Sequence, residues 1–216
     1  MPVFECARCN EMTYSASAGT VDACDRCGSQ RQRVIEGGFD EARRSERTLR
    51  PGDHAGLAYD EPADVAPFCA RFLTDGVEAG ERVVAGLPEQ LREAVRALLT
   101  PDVALAVGWQ DPHSIYGDFD ADRVAASYEA LIAAESRTTR ILAGLDAESA
   151  AGIASDEFAR YERMAHGIIT GHGAIVVCVF SGELAPELIE VGALQHGLSV
   201  EDGAVHRNEQ FEYQPA

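Results

Sequence analysis

Two C-x-x-C pairs, Cys6-Ala-Arg-Cys9 and Cys24-Asp-Arg-Cys27, constrain this chain more than any other feature of it. A C-x-x-C turn brings two sulfurs to one ion while its backbone N–H groups bond the thiolates, and two such turns complete a tetrahedral set of four. Gly28, directly after the second pair, can take the positive φ that a tight knuckle needs. Other uses of the pattern fit less well. Disulfides need an oxidising compartment, and neither a secretory h-region nor a membrane-spanning run is read in the chain. A redox dithiol is a single pair at a βα junction, whereas here two pairs flank the short polar stretch from Asn10 to Ala23. The expectation is one structural zinc ion per chain on Cys6, Cys9, Cys24 and Cys27, with no coordination position left for substrate.

At 216 residues the chain has room for that module and one full domain with its own core. The predicted organisation is a four-cysteine zinc ribbon over residues 1–35, a polar linker over 36–50 with a short helix after Gly37-Gly38, and an α/β domain over 51–216. Charge divides the same way. There are 36 Asp plus Glu against 18 basic residues, every one of them arginine, for a net charge of −18. Residues 1–50 hold eight arginines and eight acids, so the whole excess lies in residues 51–216, with ten arginines against 28 acids. Such a surface repels nucleic-acid phosphate and anionic membrane, which argues against either as a partner of the larger domain. A lysine-free, acid-rich composition fits a GC-rich genome, and the two-to-one acid excess further favours a salt-rich, halophilic cytoplasm.

After Arg50-Pro51-Gly52-Asp53 the pattern alternates between short apolar runs and amphipathic stretches. Strands are predicted at His54–Tyr59, Arg82–Leu87, Val103–Trp109, Arg140–Leu145 and Gly173–Phe180, the last being the most hydrophobic run and a central strand. Helices are predicted at Pro62–Ala79, Pro88–Leu99, Asp120–Glu135, Ser155–Ile169 and Ala185–His196, with Gln110–Phe119 as a loop. Gly171 is assigned to the C′ position of the fourth helix and Gly173 to the start of the strand. Leu198–Tyr213 reads as a terminal strand or a hairpin around Asp202-Gly203. Alternating strands and helices imply an α/β fold with a mostly parallel sheet flanked by helices. Ligands of such folds bind at the carboxyl ends of the strands, which selects Tyr59, Asp60, Trp109, Tyr116, Asp146 and Phe180 as pocket residues. Aromatic walls with few polar groups suit a small, neutral or mostly apolar molecule.

The chemistry that is missing is as informative. A phosphate-binding loop needs G-x-x-x-x-G-K-[ST] after the first strand, but Asp60-Glu61-Pro62 stands there and the chain has no lysine. No G-x-G-x-x-G follows a strand and no G-x-S-x-G elbow occurs. The histidines at 54, 113, 166, 172, 196 and 206 include no two spaced i, i+4, so each reads as a surface or packed residue. Cys69 and Cys178 fall on apolar positions and read as core. An enzyme would need a polar constellation such as His54, Tyr59, Glu162 and His196 converging at one pocket.

From Gly52 onward the residues resemble an ordered family pattern. Gly52-Asp53-His54-Ala55-Gly56-Leu57-Ala58-Tyr59 is similar to the opening of the MEDS domain, the sensory domain of methanogens and methylotrophs named for the dichloromethane regulator. Pro67-Phe68 through Gly76-Val77-Glu78-Ala79-Gly80-Glu81-Arg82 resembles its "PFL..GL..GE" helix and turn, and Tyr116-Gly117-Asp118-Phe119-Asp120 its "Y…G.FD" loop. Tyr161-Glu162, Val177-Cys178-Val179-Phe180 and Leu194-Gln195-His196 resemble its "YE", "LC.Y" and "TH" elements. The chain departs from the pattern at Leu145-Asp146-Ala147-Glu148-Ser149, where the family often has "D.SW", and at Asn208-Glu209-Gln210-Phe211 in place of "NP.F". The resemblance, over about residues 50–213, implies a RecA/KaiC-like domain that has lost its ATPase motifs and serves as a ligand sensor.

The expected function is therefore that of a cytoplasmic, non-catalytic signalling or regulatory protein. In it the α/β domain binds a small molecule and the zinc ribbon, or a surface near it, contacts a partner, protein or nucleic acid. The alternative is a protein-interaction adaptor for transcription or signalling machinery, with a degenerate ATPase-like scaffold and no ligand. No membrane partner is expected, and association with further copies of the chain is compatible with either reading.

Overall fold

A computed structural model of the protein describes residues 3–6, 8–9, 12–14, 23–24, 27–30, 32–35, 47–134 and 136–211. Most of the expected linker, with its short helix after Gly37-Gly38, and the end of the expected terminal strand lie outside the described residues.

The front of the chain forms a three-stranded antiparallel sheet from β1 (Val3–Cys6), β2 (Met12–Tyr14) and β3 (Gln32–Ile35), in the order β2-β1-β3. Cys6 is the last residue of β1, so the strand delivers the first thiol directly to the knuckle that follows. The rest of the chain contributes seven strands to a second sheet. These are β4 (His54–Tyr59), β5 (Arg82–Gly86), β6 (Gly108–Gln110), β7 (Thr139–Leu145), β8 (Ile175–Ser181), β9 (Leu198–Glu201) and β10 (Ala204–Arg207), in spatial order β10-β9-β4-β8-β7-β5-β6. All neighbours are parallel except the β9–β10 hairpin at one edge. The helices between them are α1 (Pro62–Glu78), α2 (Glu89–Leu98), α3 (Pro101–Ala106), α4 (Pro112–Tyr116), α5 (Ala121–Ala133), α6 (Ser155–His172) and α7 (Pro186–Gln195).

The central parallel strands are covered on both sides, which is why β7 and β8 read as continuous apolar runs rather than alternating ones. Ala55, Leu57 and Tyr59 of β4 share one face with Leu142, Val177 and Val179 and pack against Phe68, Phe72 and Leu73 of α1 and Leu91 of α2. The opposite face carries Ile141, Leu145, Val176 and Phe180 and packs against Val124 of α5, Phe158 and Ile169 of α6 and Leu188 of α7. A strand's period of two assigns His54, Gly56 and Ala58 to this second face. No helix among the described residues is long and apolar enough to cross a membrane.

Most predicted elements are present within a residue or two, with three corrections. Val103–Trp109 is not a strand. Thr100 accepts a hydrogen bond from the Val103 N–H at 3.4 Å, Pro101 takes the first turn and Asp102 sits beside the positive helix end, so a six-residue helix forms and only Gly108–Gln110 joins the sheet. The loop Gln110–Phe119 contains α4, started by Asp111, whose carboxylate accepts from the His113 N–H at 3.1 Å. Finally, α6 continues to His172, and Gly173, not Gly171, takes the left-handed position with φ of 73°. There the N–H groups of Gly173 and Ala174 both close on the Ile169 carbonyl, at 2.9 and 3.1 Å.

Candidate functional site

The thiols of Cys6, Cys9, Cys24 and Cys27 gather into one cluster, with all four sulfurs within 4.8 Å of one another. Cys6 lies 3.5 Å from Cys27 and Cys9 lies 3.5 Å from Cys24, so contacts run between the two motifs. The Arg8 N–H points at the Cys6 sulfur at 3.4 Å, as a metal-binding knuckle requires. Gly28 has φ of 71° and donates to the Cys24 carbonyl at 2.8 Å, closing the second knuckle. A tetrahedral ion with metal–sulfur bonds of about 2.3 Å sets sulfur–sulfur edges of about 3.8 Å. The cluster fits such an ion, and the Cys6 thiol is already drawn down to about 4. The Cys9 thiol contributes most to that shift, and the backbone N–H groups of Arg8 and Cys9 add to it against the opposing effect of burial. Burial pushes the Cys27 thiol the other way.

A cleft of about 1610 Å³ lies where the second sheet comes apart. β9 pairs with β4 only at Ala55–Leu198 and Gly56–Ser199, so the two strands diverge beyond Gly56. Leu57, Ala58 and Tyr59 line one side of the opening, Val200 and Glu201 the other, with Phe68 and Phe180 as aromatic walls. Arg71 reaches across from α1 to the Gly203 carbonyl at 2.6 Å, tying the helix to the hairpin. Asp60, Asp64, Glu201, Asp202 and Glu209 rim the cleft, so its mouth is acidic.

Of the six predicted pocket residues, Tyr59, Asp60 and Phe180 line this cleft and the other three do not. Asp146, at the end of β7, is held in a turn by Ser149, whose N–H and hydroxyl bond its Oδ1 at 2.9 and 2.5 Å. Its charge still acts on Tyr59, whose hydroxyl is pushed up to about 12 by burial first and by Asp146 second. Trp109 sits on the edge strand and lines a separate cavity with Arg82 and Val83, at the amino end of β5. Its Nε1–H donates to the Ala104 carbonyl at 3.0 Å and Arg96 lies 5.4 Å over its ring, both packing roles. Tyr116 lines a third cavity, between α4, α5 and β7.

A buried polar cluster stands behind the cleft, on the second face of the sheet. His54 projects from β4, Cys178 from β8, Glu162 from α6 and His196 from the end of α7. Their ligand-capable atoms all lie within 4.8 Å of one another. His54 Nε2 is 3.3 Å from Cys178 Sγ and 3.8 Å from Glu162 Oε2, and His196 Nε2 is 3.7 Å from the same carboxylate oxygen. Gly56 makes this possible: a Cβ there would stand 3.2 Å from the His196 ring. Tyr59, also named with these residues as an enzyme constellation, points to the other face and stays apart. His166 adds a third imidazole. Its ring lies 5.7 Å from that of His54, and its Nε2–H donates to the Arg8 carbonyl of the thiol knuckle at 2.6 Å.

No two histidines are spaced i, i+4, so no helical ligand pair marks this cluster in the sequence. The usable signal was a mixed pair, Glu162 and His166 at that spacing on one helix, beside a polar His54 opening an otherwise apolar strand.

The fold and site thus define a parallel α/β domain with a cleft at its strand ends, preceded by a four-thiol centre. The family model described as MEDS, "MEthanogen/methylotroph, DcmR Sensory domain", matches residues 53–196, and the chain belongs to that family. No curated protein matches the chain. Among solved structures the chain is similar to the RadB recombinase, with 16% identity over 70% of this chain and 74% of that one and a TM-score of 0.46.

Proposed function

We propose that the chain is a non-catalytic signalling protein that binds a small molecule in the cleft between β4 and β9 and passes that state to a zinc-loaded four-cysteine module, which meets a protein partner. The observation that carries this is the divergence of the two strands beyond Gly56, which opens an aromatic-walled space at the strand ends. Ligand sites of parallel α/β folds occur in that position. Family membership supports a sensory role.

Two features favour binding over catalysis. Only Asp60 and Glu61 separate β4 from α1, so two carboxylates occupy the place of a phosphate-binding loop and would repel polyphosphate. The polar groups that do converge are mostly buried: the His54 and Glu162 side chains are 0% and 3% exposed, and His196, which meets the wall of the cleft, is 1% exposed. The bond from His166 to the Arg8 carbonyl offers a physical link between the domain and the thiol knuckle.

One observation favours the adaptor as a second reading. The cleft exceeds the roughly 300–1,000 Å³ of ordinary small-molecule sites, so a partner's peptide segment would also fit. Native mass spectrometry of the purified chain separates the two, followed by calorimetry of any co-purified molecule against wild type and Phe180→Ala. A small molecule whose affinity falls at least tenfold in the variant supports the sensor. A chain that carries no small molecule and binds none in a screen of neutral compounds supports the adaptor.

A further inference from the structure

We infer that His54, Glu162, Cys178 and His196 form a second, tetrahedral site for a divalent transition metal of zinc's type, pinning α6 and the end of α7 to β4 and β8 behind the cleft. The inference does not depend on what occupies the cleft.

The spacing is the first argument. Metal–nitrogen and metal–oxygen bonds of about 2.0–2.2 Å and a metal–sulfur bond of about 2.3 Å give tetrahedral edges of about 3.3–3.7 Å. The three recorded separations, 3.3, 3.7 and 3.8 Å, lie within a few tenths of an ångström of those edges. The two to the carboxylate are too long for hydrogen bonds. Glu162 Oε2 and His196 Nε2 are accordingly buried without a hydrogen-bond partner, although they face each other. Leaving such groups unsatisfied costs about 1–3 kcal/mol each, so a fold that holds several together needs a reason to do so.

Orientation is the second argument. His196 Nδ1–H donates to the Gly192 carbonyl at 2.6 Å, which fixes the tautomer and turns the Nε2 lone pair toward Glu162. Metal-ligating histidines are held by a backbone carbonyl in this way.

Charge and chemistry complete the case. A divalent ion with one thiolate, one carboxylate and two neutral imidazoles is a neutral assembly, the kind a low-dielectric interior tolerates. Without the ion the buried Glu162 carboxylate has no such compensation. On ligation the Cys178 thiol releases its proton and the sulfur bonds the metal. Imidazole and thiolate ligands select zinc-like ions over magnesium or calcium, and four protein ligands leave no open position, so the ion is structural.

The test uses the full chain and cobalt(II) as an optical probe. In Cys24→Ser, where the N-terminal four-thiol set is broken, metal-free protein is titrated with cobalt. The expected result is one equivalent bound, with a ligand-field spectrum of a tetrahedral site and the charge-transfer band of a single thiolate. Adding the near-isosteric Glu162→Gln should weaken that binding at least about 100-fold, beyond the effect of losing a supporting contact. Elemental analysis of wild type should give two ions per chain, one of them retained in Cys24→Ser. If Cys24→Ser binds no cobalt with a thiolate band, or if Glu162→Gln and His196→Gln in that background bind it undiminished, the site does not exist and the cluster is a buried polar network only. Should the double variants fail to fold, the Cys24→Ser titration and the elemental count decide alone.

Discussion

The residue that shows most clearly how this fold handles charge is Arg140 on β7. Its guanidinium pairs with Glu81, donates to the Phe72 carbonyl at 3.3 Å and lies 4.8 Å over the Phe72 ring, with both ionic side chains less than 15% exposed. Gly76 admits it, since a Cβ there would come within 2.6 Å of Arg140 Cδ. Arg140→Ala strands the Glu81 carboxylate, and the expected loss is about 3–5 kcal/mol, read in denaturant melts. Glu81→Gln should cost less, because the amide still accepts. The thiol centre also belongs to this scale: Cys24→Ser should lower the zinc content by one ion per chain by elemental analysis, and an unchanged count would remove that site. The four thiols were legible because each ligand pair is local in sequence. His54, Cys178 and His196 were not, since only the parallel register of β4 with β8 and the end of α7 bring them together.

At the scale of elements, legibility followed the strength of local signals. Strands β4, β7 and β8 announced themselves as apolar runs, and the hairpin around Asp202-Gly203 by its turn pair. That turn has Asp202 at φ of 50° and Gly203 at 74°, the two positive values of a type I′ turn whose twist suits a two-residue hairpin. Gly203→Ala meets no neighbouring atom, so its cost is conformational alone, about 1 kcal/mol. Because the hairpin forms one side of the cleft, hydrogen exchange of the Ser199 and His206 amides, which bond across it, should rise in this variant with little effect on the β8 amides. Equal exchange at both would show that the hairpin does not open separately. The apolar run Val103–Trp109 suggests a strand, but the Thr100-Pro101-Asp102 start signal just before it is stronger, and the chain forms a helix there. The pocket residues divided for a topological reason. The strand ends do not form one rim: the cleft follows the place where β4 and β9 part, and Trp109 lies on the opposite edge strand.

The whole molecule carries a charge imbalance that its contacts do not cancel. Of the ten arginines beyond residue 50, several spend hydrogen bonds on carbonyls: Arg71 on Gly203, Arg82 on Leu131, and Arg123 on Gly117 and Asp118. Meanwhile Asp60, Glu61, Asp64, Asp75 and Glu78 lie along α1 and its approach, most of them exposed, with Arg71 the single cation of that helix. Surface pairs such as Arg92 with Glu89 are worth at most about 1 kcal/mol and do not offset a net −18. Repulsion among the remaining carboxylates is long-ranged at low ionic strength, where the Debye length is about 30 Å at 0.01 M, and is confined to near neighbours at about 3 Å in 1 M salt. The folded state concentrates these charges more than the unfolded chain does, so screening favours folding. The melting temperature should therefore rise steadily between those two salt concentrations. Choline chloride should act as sodium chloride does, if screening rather than specific cation binding is the cause. A midpoint that stays flat or falls with salt would mean that the arginine–carbonyl contacts leave enough positive potential to balance the surface, and would remove the case for a salt-rich cytoplasm.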